Sequence, residues 1–333
     1  MQTKRQIQEL LTAAGVAPNR RLGQHFLVDL NLMRLLVDSA GIEPADVVLE
    51  IGAGTGSLTE ALAERSGQVI TVELDPTLAR VAQSRLAGAA NVQLLNMDAL
   101  SSKGSIAPAV AEAIAAAKAK IAQSSMGVPP MSRRGILPLH SHGQDARATV
   151  GPAERRPDEG RVLLVANLPY DVASPIMINL VKGPLIVDAM CVTVQKEVAE
   201  RMIASPGRRD YGTLSIFLQA TGKVEMLRTL PPSAFWPPPQ VESAVVRYVR
   251  DWAKSGSIAN MGLFGAVVSL FMGHRRKMLR ACAKGAPPEL GGRDLWREIF
   301  ERCSIDSTRR PEELSPEQYV ALANTCHQLL STR

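Results

Sequence analysis

The hydrophobic positions of this chain fall first into short β-branched runs and later into stretches of helical period. Val47-Val-Leu-Glu-Ile51 reads as a buried strand, Gln68–Val72 as a second that ends in Glu73, Val92–Asn96 as a third and Val162–Ala166 as a fourth. Between them the pattern predicts a helix from about Ser57 to Ser66 and another from Pro76, which suits a first turn, to about Leu86. Gly67 is placed to end the first of these helices in the left-handed conformation. Strand–helix units in succession imply a largely parallel sheet with right-handed crossovers. The alternation runs to about Arg250, and beyond it the pattern is helical, with turn signals at Gly285–Pro288, Gly291-Gly292 and Ser315-Pro316.

One stretch breaks the pattern. Residues 101–160 hold twelve Ala, six Gly, six Pro and no aromatic residue. Their first part, Ser105 to Gln123, has the composition of an Ala-rich helix. From Ser124 to Gly160 there is no apolar period, and the segment reads as a flexible loop or insertion. The organisation expected is a leader and first helix over 1–46, an α/β domain over 47–250 carrying the 101–160 insertion, and a helical domain over 251–333.

Composition narrows the class. With 46% hydrophobic and 21% charged residues the chain is a packed globular protein, not a disordered one. Its longest near-apolar stretch, Pro184 to Val194, is broken by Asp188 and falls short of the roughly 20 residues a membrane span needs. The start of the chain has no apolar run of signal-peptide type, so a cytoplasmic location is expected. Cys191, Cys282, Cys303 and Cys326 are far apart and form no Cys-x-x-Cys pair, which points to reduced thiols and no metal site. A net charge of +6 permits a polyanionic partner without requiring one.

The chemistry gathers at strand ends. In Glu50-Ile-Gly-Ala-Gly-Thr-Gly56 three glycines alternate directly after a strand, where a ligand can lie against the backbone with no Cβ in the way. Glu73, 21 residues after Gly52, stands where nucleotide-binding α/β folds keep an acid for the two ribose hydroxyls. The glycines run G-x-G-x-G, with Ser57 where a dinucleotide fingerprint has its third, so the spacing fits an S-adenosylmethionine loop better. Asp98, after the third strand, is placed to accept from an adenine amino group. For the loop alone, tight-turn glycines with solvated acids are the plain alternative.

Asn167-Leu-Pro-Tyr170 follows the fourth strand at the carboxyl edge of the sheet. The group suits methylation of an adenine amino nitrogen, a poor nucleophile whose lone pair is delocalised into the ring. The Asn167 oxygen and the Leu168 carbonyl can accept its two hydrogens and turn the lone pair toward an electrophilic methyl. Pro169 stiffens the turn, and Tyr170 offers a flat face for an extruded base. By itself the tetrapeptide reads equally as a strand-ending turn with a half-buried tyrosine.

With these motifs in order, the chain resembles the KsgA/RsmA ribosomal RNA adenine dimethyltransferases, relatives of the Erm methyltransferases. The resemblance rests on Leu22-Gly-Gln-His-Phe-Leu27, Glu50–Gly56, Val72–Asp75, Asn96–Leu100 and Asn167–Tyr170. It continues through Phe235–Ser243, Phe271–Leu279 and Arg310–Ser315, covering nearly everything outside 101–160. It implies a Rossmann-like S-adenosylmethionine methyltransferase sheet with a smaller C-terminal all-α domain. The cofactor is then S-adenosylmethionine, held by Gln24, His25, Leu27, Gly52, Gly54, Glu73, Leu74, Asp98, Ala99 and Asn167. Asn167, Leu168, Pro169 and Tyr170 become the catalytic group. The implied product is N6,N6-dimethyladenosine at two adjacent adenosines in the 3′-terminal hairpin of small-subunit (16S) rRNA. The implied partner is the immature small ribosomal subunit, met by a monomer. The chain departs from the family pattern at His25, where Asn is usual, at Asn96-Met97, where a glycine commonly precedes the aspartate, and in the 101–160 insertion.

Gly273-His-Arg-Arg-Lys277 is a compact basic cluster, and Arg275, Arg276, Lys277 and Arg280 are the expected RNA contacts. Residues 261–333 carry eleven Lys or Arg against eight Asp or Glu, so the cluster is local, and a solvated helix face is its other reading. Arg20-Arg21, Arg201 and Arg208-Arg209 would extend the track, while Phe235 and Trp236 read as packed aromatics. Three other functions compete: an assembly factor whose methylation is dispensable, an Erm-like enzyme of large-subunit rRNA, and methylation of a different amide or amino substrate.

Overall fold

The structure is a computed structural model that describes residues 1–19, 23–102, 104–125 and 160–332. Thr3 caps helix α1 (Lys4–Ala13) in a reciprocal box with Gln6. A short strand β1 (Phe26–Leu27) leads into α2 (Leu30–Ser39), which Asp29 caps. The alternation then runs β2 (Val47–Ile51), α3 (Ser57–Ala63), β3 (Gln68–Glu73), α4 (Pro76–Leu86) and β4 (Val92–Asn96). A hairpin of β5 (Leu100–Ser102) and β6 (Ser105–Ile106) precedes α5 (Pro108–Ser125). Next come β7 (Val162–Asn167), α6 (Ala173–Lys182), β8 (Ala189–Gln195), α7 (Lys196–Ile203), α8 (Thr213–Thr221), β9 (Gly222–Leu230), β10 (Phe235–Trp236) and β11 (Ser243–Arg250). Helices α9 (Trp252–Gly256), α10 (Met261–Met272), α11 (Leu279–Ala283), α12 (Gly292–Arg302) and α13 (Pro316–Ser331) complete the chain.

The main sheet has the order β4-β3-β2-β7-β8-β11-β9. Its first five strands are parallel, and β11 runs antiparallel to both β8 and β9. Strand residues alternate between two cores, as a sheet covered on both faces requires. Val47, Leu49 and Ile51 face the side that α5 and α6 cover, while Val48 faces α2 and α3. From β2 the chain winds outward through β3 to β4, then returns to β7 beside β2 and continues the other way. That reversal is a topological switch point, and it brings the loops after β2 and β7 together at the carboxyl edge.

Three sequence expectations change here. The first helix stops at Ala63, short of Ser66. Gly67 does not take the left-handed conformation; a Cβ there would lie 2.5 Å from the Pro44 carbonyl oxygen, so close packing selects the glycine. The Ala-rich segment is no appendage either. Helix α5 buries Val110, Ala113, Ile114 and Ala117 against the sheet and forms part of the crossover from β4 back to β7. The flexible-loop reading of Ser124–Gly160 loses Ser124 and Ser125 to α5, and 126–159 lie outside the described residues, as do Arg20 and Arg21.

The closing helices have a core of their own, which also takes in Tyr211, Ile216, Phe217 and Ala220 from before Arg250. Phe217 meets Phe264 edge-on at 5.2 Å, and the Tyr211 hydroxyl donates to the Leu314 carbonyl at 2.8 Å. Helix α8 is thus the seat on which the helical part docks.

Candidate active site

A cavity of about 260 Å³ opens at the carboxyl ends of β2, β3, β4 and β7. All thirteen residues expected to hold cofactor or catalyse line it, from Gln24 in the leader to Tyr170 after β7. Gly52, Gly54 and Gly56 take φ of 91°, 58° and 79°, a turn that L side chains resist. The loop is also pressed from both sides. A Cβ on Gly54 would lie 3.1 Å from the Phe26 ring, and one on Gly52 would lie 3.6 Å from the Pro169 ring.

Glu73 accepts from the Gly54 amide (2.8 Å) and the Asp75 amide (2.9 Å). Burial raises its pKa, and those amides only partly offset the rise. Each carboxylate oxygen has more than one acceptor position, so both can still receive a ribose hydroxyl. Asp98 is exposed at the cavity rim, and the Leu100 amide fixes its carboxylate at 2.8 Å. Leu74 stands 51% exposed at the lip, whereas Leu27 and Ala99 are buried in the wall. Gln24 is engaged elsewhere in this state: its amide donates to Asp75 (3.2 Å) and its oxygen accepts from the Asn19 amide (2.7 Å).

At the motif after β7, Asn167 donates its Nδ2 to the His25 carbonyl at 2.8 Å, which fixes the orientation of the amide. Its Oδ1 is buried with no hydrogen-bond partner. An orphaned acceptor costs about 1–3 kcal/mol, and a site that keeps one has a use for it. The Leu168 amide donates to Thr193 (3.1 Å), tying the turn to β8. The Tyr170 hydroxyl sits 2.6 Å from the Ser243 hydroxyl, and partial burial raises its pKa.

His25 joins these groups together. Its Nδ1 lies 2.7 Å from the Pro237 carbonyl, which only accepts, so Nδ1 carries a proton. Its ring stacks on Tyr170 with centroids 5.5 Å apart and planes 25° from parallel. The leader is held there because β1 pairs with β10, Phe26 opposite Trp236 and Leu27 opposite Phe235. Phe235 is buried, and Trp236 stacks with Phe26.

Glu50 was missed by sequence reasoning. It lines the same cavity, fully buried, with Oε2 accepting from Thr59 (2.6 Å) and Thr71 (2.7 Å) while Oε1 has no partner. Desolvation pushes its pKa up to about 8. The available signal was an acid inside the otherwise apolar run Val47–Ile51.

The comparisons with known proteins agree with this geometry. Residues 16–327 match the family described as ribosomal RNA adenine dimethylase. The chain belongs to that family. It is 33% identical over 321 residues to the ribosomal RNA small subunit methyltransferase A of Pelotomaculum thermopropionicum, covering 96% of this chain and 95% of the relative. The protein of the same name from Alkaliphilus oremlandii is 34% identical over 92% of this chain and 91% of its own. Among solved structures, a dimethyladenosine transferase from Plasmodium falciparum superposes with a TM-score of 0.63 at 21% identity, over 90% of this chain and 96% of that one. The 23S rRNA methyltransferase ErmE gives 0.55 at 21% identity, over 91% and 100%. These likenesses show the Rossmann-like methyltransferase fold with its helical C-terminal region.

Two departures from the family pattern acquire a physical account. His25 uses its backbone carbonyl for Asn167 and its ring for Tyr170 and Pro237, so the substituted side chain is built into the site. Asn96 donates to the Glu73 carbonyl at 2.8 Å and links the ends of β4 and β3, while Met97 lines the cavity.

The basic cluster lies in the turn between α10 and α11, not on a helix face. Arg275 is held by Glu312 (2.9 Å) and the Arg209 carbonyl (2.9 Å), whereas Arg276, Lys277 and Arg280 are exposed. Arg201 pairs with Glu197. Among the described residues no helix is long and apolar enough to cross a membrane, and no group of His, Cys, Asp or Glu gathers to hold a metal.

Proposed function

We propose that this protein transfers methyl groups from S-adenosylmethionine to N6 of two adjacent adenosines in the 3′-terminal hairpin of small-subunit rRNA, two to each, during small-subunit assembly. The observation that carries the chemistry is the unpartnered, buried Asn167 Oδ1 beside the glycine cradle. The cavity residues fit the cofactor: Gly52 and Gly54 leave the loop bare, Glu73 takes the ribose hydroxyls, and Asp98 accepts from the adenine amino group. Gln24, His25, Leu27, Leu74 and Ala99 form the wall around it. When bound, S-adenosylmethionine supplies an electrophilic methyl on a sulfonium centre.

The chain's own residues prepare the nucleophile. In the first transfer Asn167 Oδ1 accepts one N6 hydrogen and the Leu168 carbonyl the other; in the second, one of these acceptors holds the single hydrogen left, and each time the lone pair is localised on nitrogen. Tyr170, held by Ser243 and backed by His25, presents its remaining face to the extruded base. Alignment of nitrogen, methyl and sulfur is the main contribution, with no covalent enzyme intermediate. Residues 251–333 form the RNA-binding part, with Arg276, Lys277 and Arg280 reaching phosphates and Arg275 bracing the turn.

The test is transfer of labelled methyl to unmethylated immature small subunits, with large-subunit rRNA and unrelated protein as parallel substrates. Incorporation confined to small-subunit rRNA is expected. Incorporation into large-subunit rRNA would favour the Erm-like reading, and none into any rRNA would overturn the proposal.

A further inference from the structure

A second cavity, about 720 Å³, is lined by α11, α12 and the turn Ser304–Ser307. Each helix contributes two cations one turn apart: Arg280 and Lys284 from α11 and its end, Arg293 and Arg297 from α12. Residues spaced in this way sit about 5–6 Å apart on one helix face, so the groove has a cationic rail on each side. All four are exposed. No ion pair among the described residues engages any of them, although α12's other arginine, Arg302, is paired with Glu298 at 2.7 Å.

The groove is built on a stiff floor. Trp296 and Phe300 line it, and both are buried in the helical core, with Trp296 edge-on to Phe271 at 4.9 Å. Two carboxylates, Glu301 and Asp306, also line it. Asp306 is already occupied by the amide and hydroxyl of Thr308, and Arg280 contributes to the fall in its pKa. Four cations against two acids leave the groove positive. The groove also continues the basic turn, because Arg280 stands three residues after Lys277 and its amide donates to the Ser307 carbonyl.

We infer that this groove holds the sugar–phosphate backbone of the substrate RNA, with Arg293 and Arg297 contacting phosphates across from Arg280 and Lys284. The inference rests on the reading that the substrate is RNA and says where its backbone runs. Cations that contact phosphate alone add affinity and salt dependence without sequence preference.

The experiment measures binding of a labelled RNA carrying the 3′-terminal hairpin of small-subunit rRNA to the full chain, between roughly 50 and 200 mM salt. For R293Q/R297Q the slope of log affinity against log salt should fall by about 1 for each lost contact, about 2 in all. R293K/R297K keeps the charges and should keep most of the slope. K284Q tests the opposite rail and should lower the slope by about 1. Affinity for S-adenosylmethionine and thermal unfolding should stay at the native values in every variant. Native slope and affinity in both R293Q/R297Q and K284Q would overturn the groove while leaving the methyltransferase reading intact. Native protein that binds this RNA yet methylates no rRNA would defeat that reading instead, with the groove still scored by the slopes.

Discussion

Glu73 and Glu50 lie on neighbouring strands of one cavity, yet their carboxyls face different demands. Glu73 has both oxygens on backbone amides and still has room for two hydroxyls, so its charge is useful where it stands. Glu73→Ala should leave the fold intact by circular dichroism and weaken S-adenosylmethionine binding by about 10- to 100-fold. That is the loss of charge-assisted hydrogen bonds of about 1.5–3 kcal/mol. Unchanged affinity by calorimetry would remove Glu73 from the cofactor site. Glu50 is instead a buried acid whose pKa of about 8 stands above the usual 4.5. A group raised on folding contributes stability in full below its unfolded pKa and loses it as pH rises through the folded value. Glu50→Gln has no proton to give up. Between about pH 5 and 7, urea unfolding of cofactor-free protein should shift in favour of the variant by up to about 1.4 kcal/mol per pH unit. Parallel pH profiles for the two proteins would contradict the buried, protonated carboxyl.

The strands β2, β3, β4 and β7 and helix α4 were legible because β-branched runs, a strand-end acid and a proline at a first turn each act locally. The pairing of β2 with β7 was less so, because it joins residues more than a hundred positions apart and depends on the return crossover. Gly67 shows the same limit: its reason is the Pro44 carbonyl, a neighbour only in three dimensions. The thirteen cavity residues were legible as motifs, but Glu50 was hidden as one polar letter in a strand, and the role of His25 depends on Pro237. Helix α5 was read by composition, yet its packing on the sheet makes it part of the fold. Its last turn places Ile121 beside Gly67, ahead of β3, and Gly160 sits against Ala45, ahead of β2. The described residues that flank 126–159 therefore lie toward the amino edge of the sheet, a strand length of about 17–20 Å from the cavity edge. Replacing residues 127–158 with a short Gly/Ser linker should preserve methyl transfer and thermal stability. Gly160 must stay, since a Cβ there would lie 2.4 Å from the Ala45 carbonyl oxygen. Loss of either property on replacement would show that the segment contributes to the folded or active protein.

Across the whole molecule, the sheet holds the chemistry and the helices seated on α8 supply unpaired cations. On the function proposed above, the two parts divide the work: the cavity takes the cofactor and one base, and the helical region holds the polyanion. Both rest on the claim that the Asn167 group aims an adenine amino nitrogen at a methyl donor. The most direct test uses immature small subunits, S-adenosylmethionine with a deuterated methyl, digestion to nucleosides and mass spectrometry. The native protein should yield N6,N6-dimethyladenosine carrying two labelled methyls. Asn167→Ala should lose far less cofactor affinity than methyl transfer, its yield falling by on the order of 10²–10³, as when one preorganised polar group is lost from a transition state. Label on a ribose oxygen or a ring carbon, or native yield from Asn167→Ala, would contradict the account.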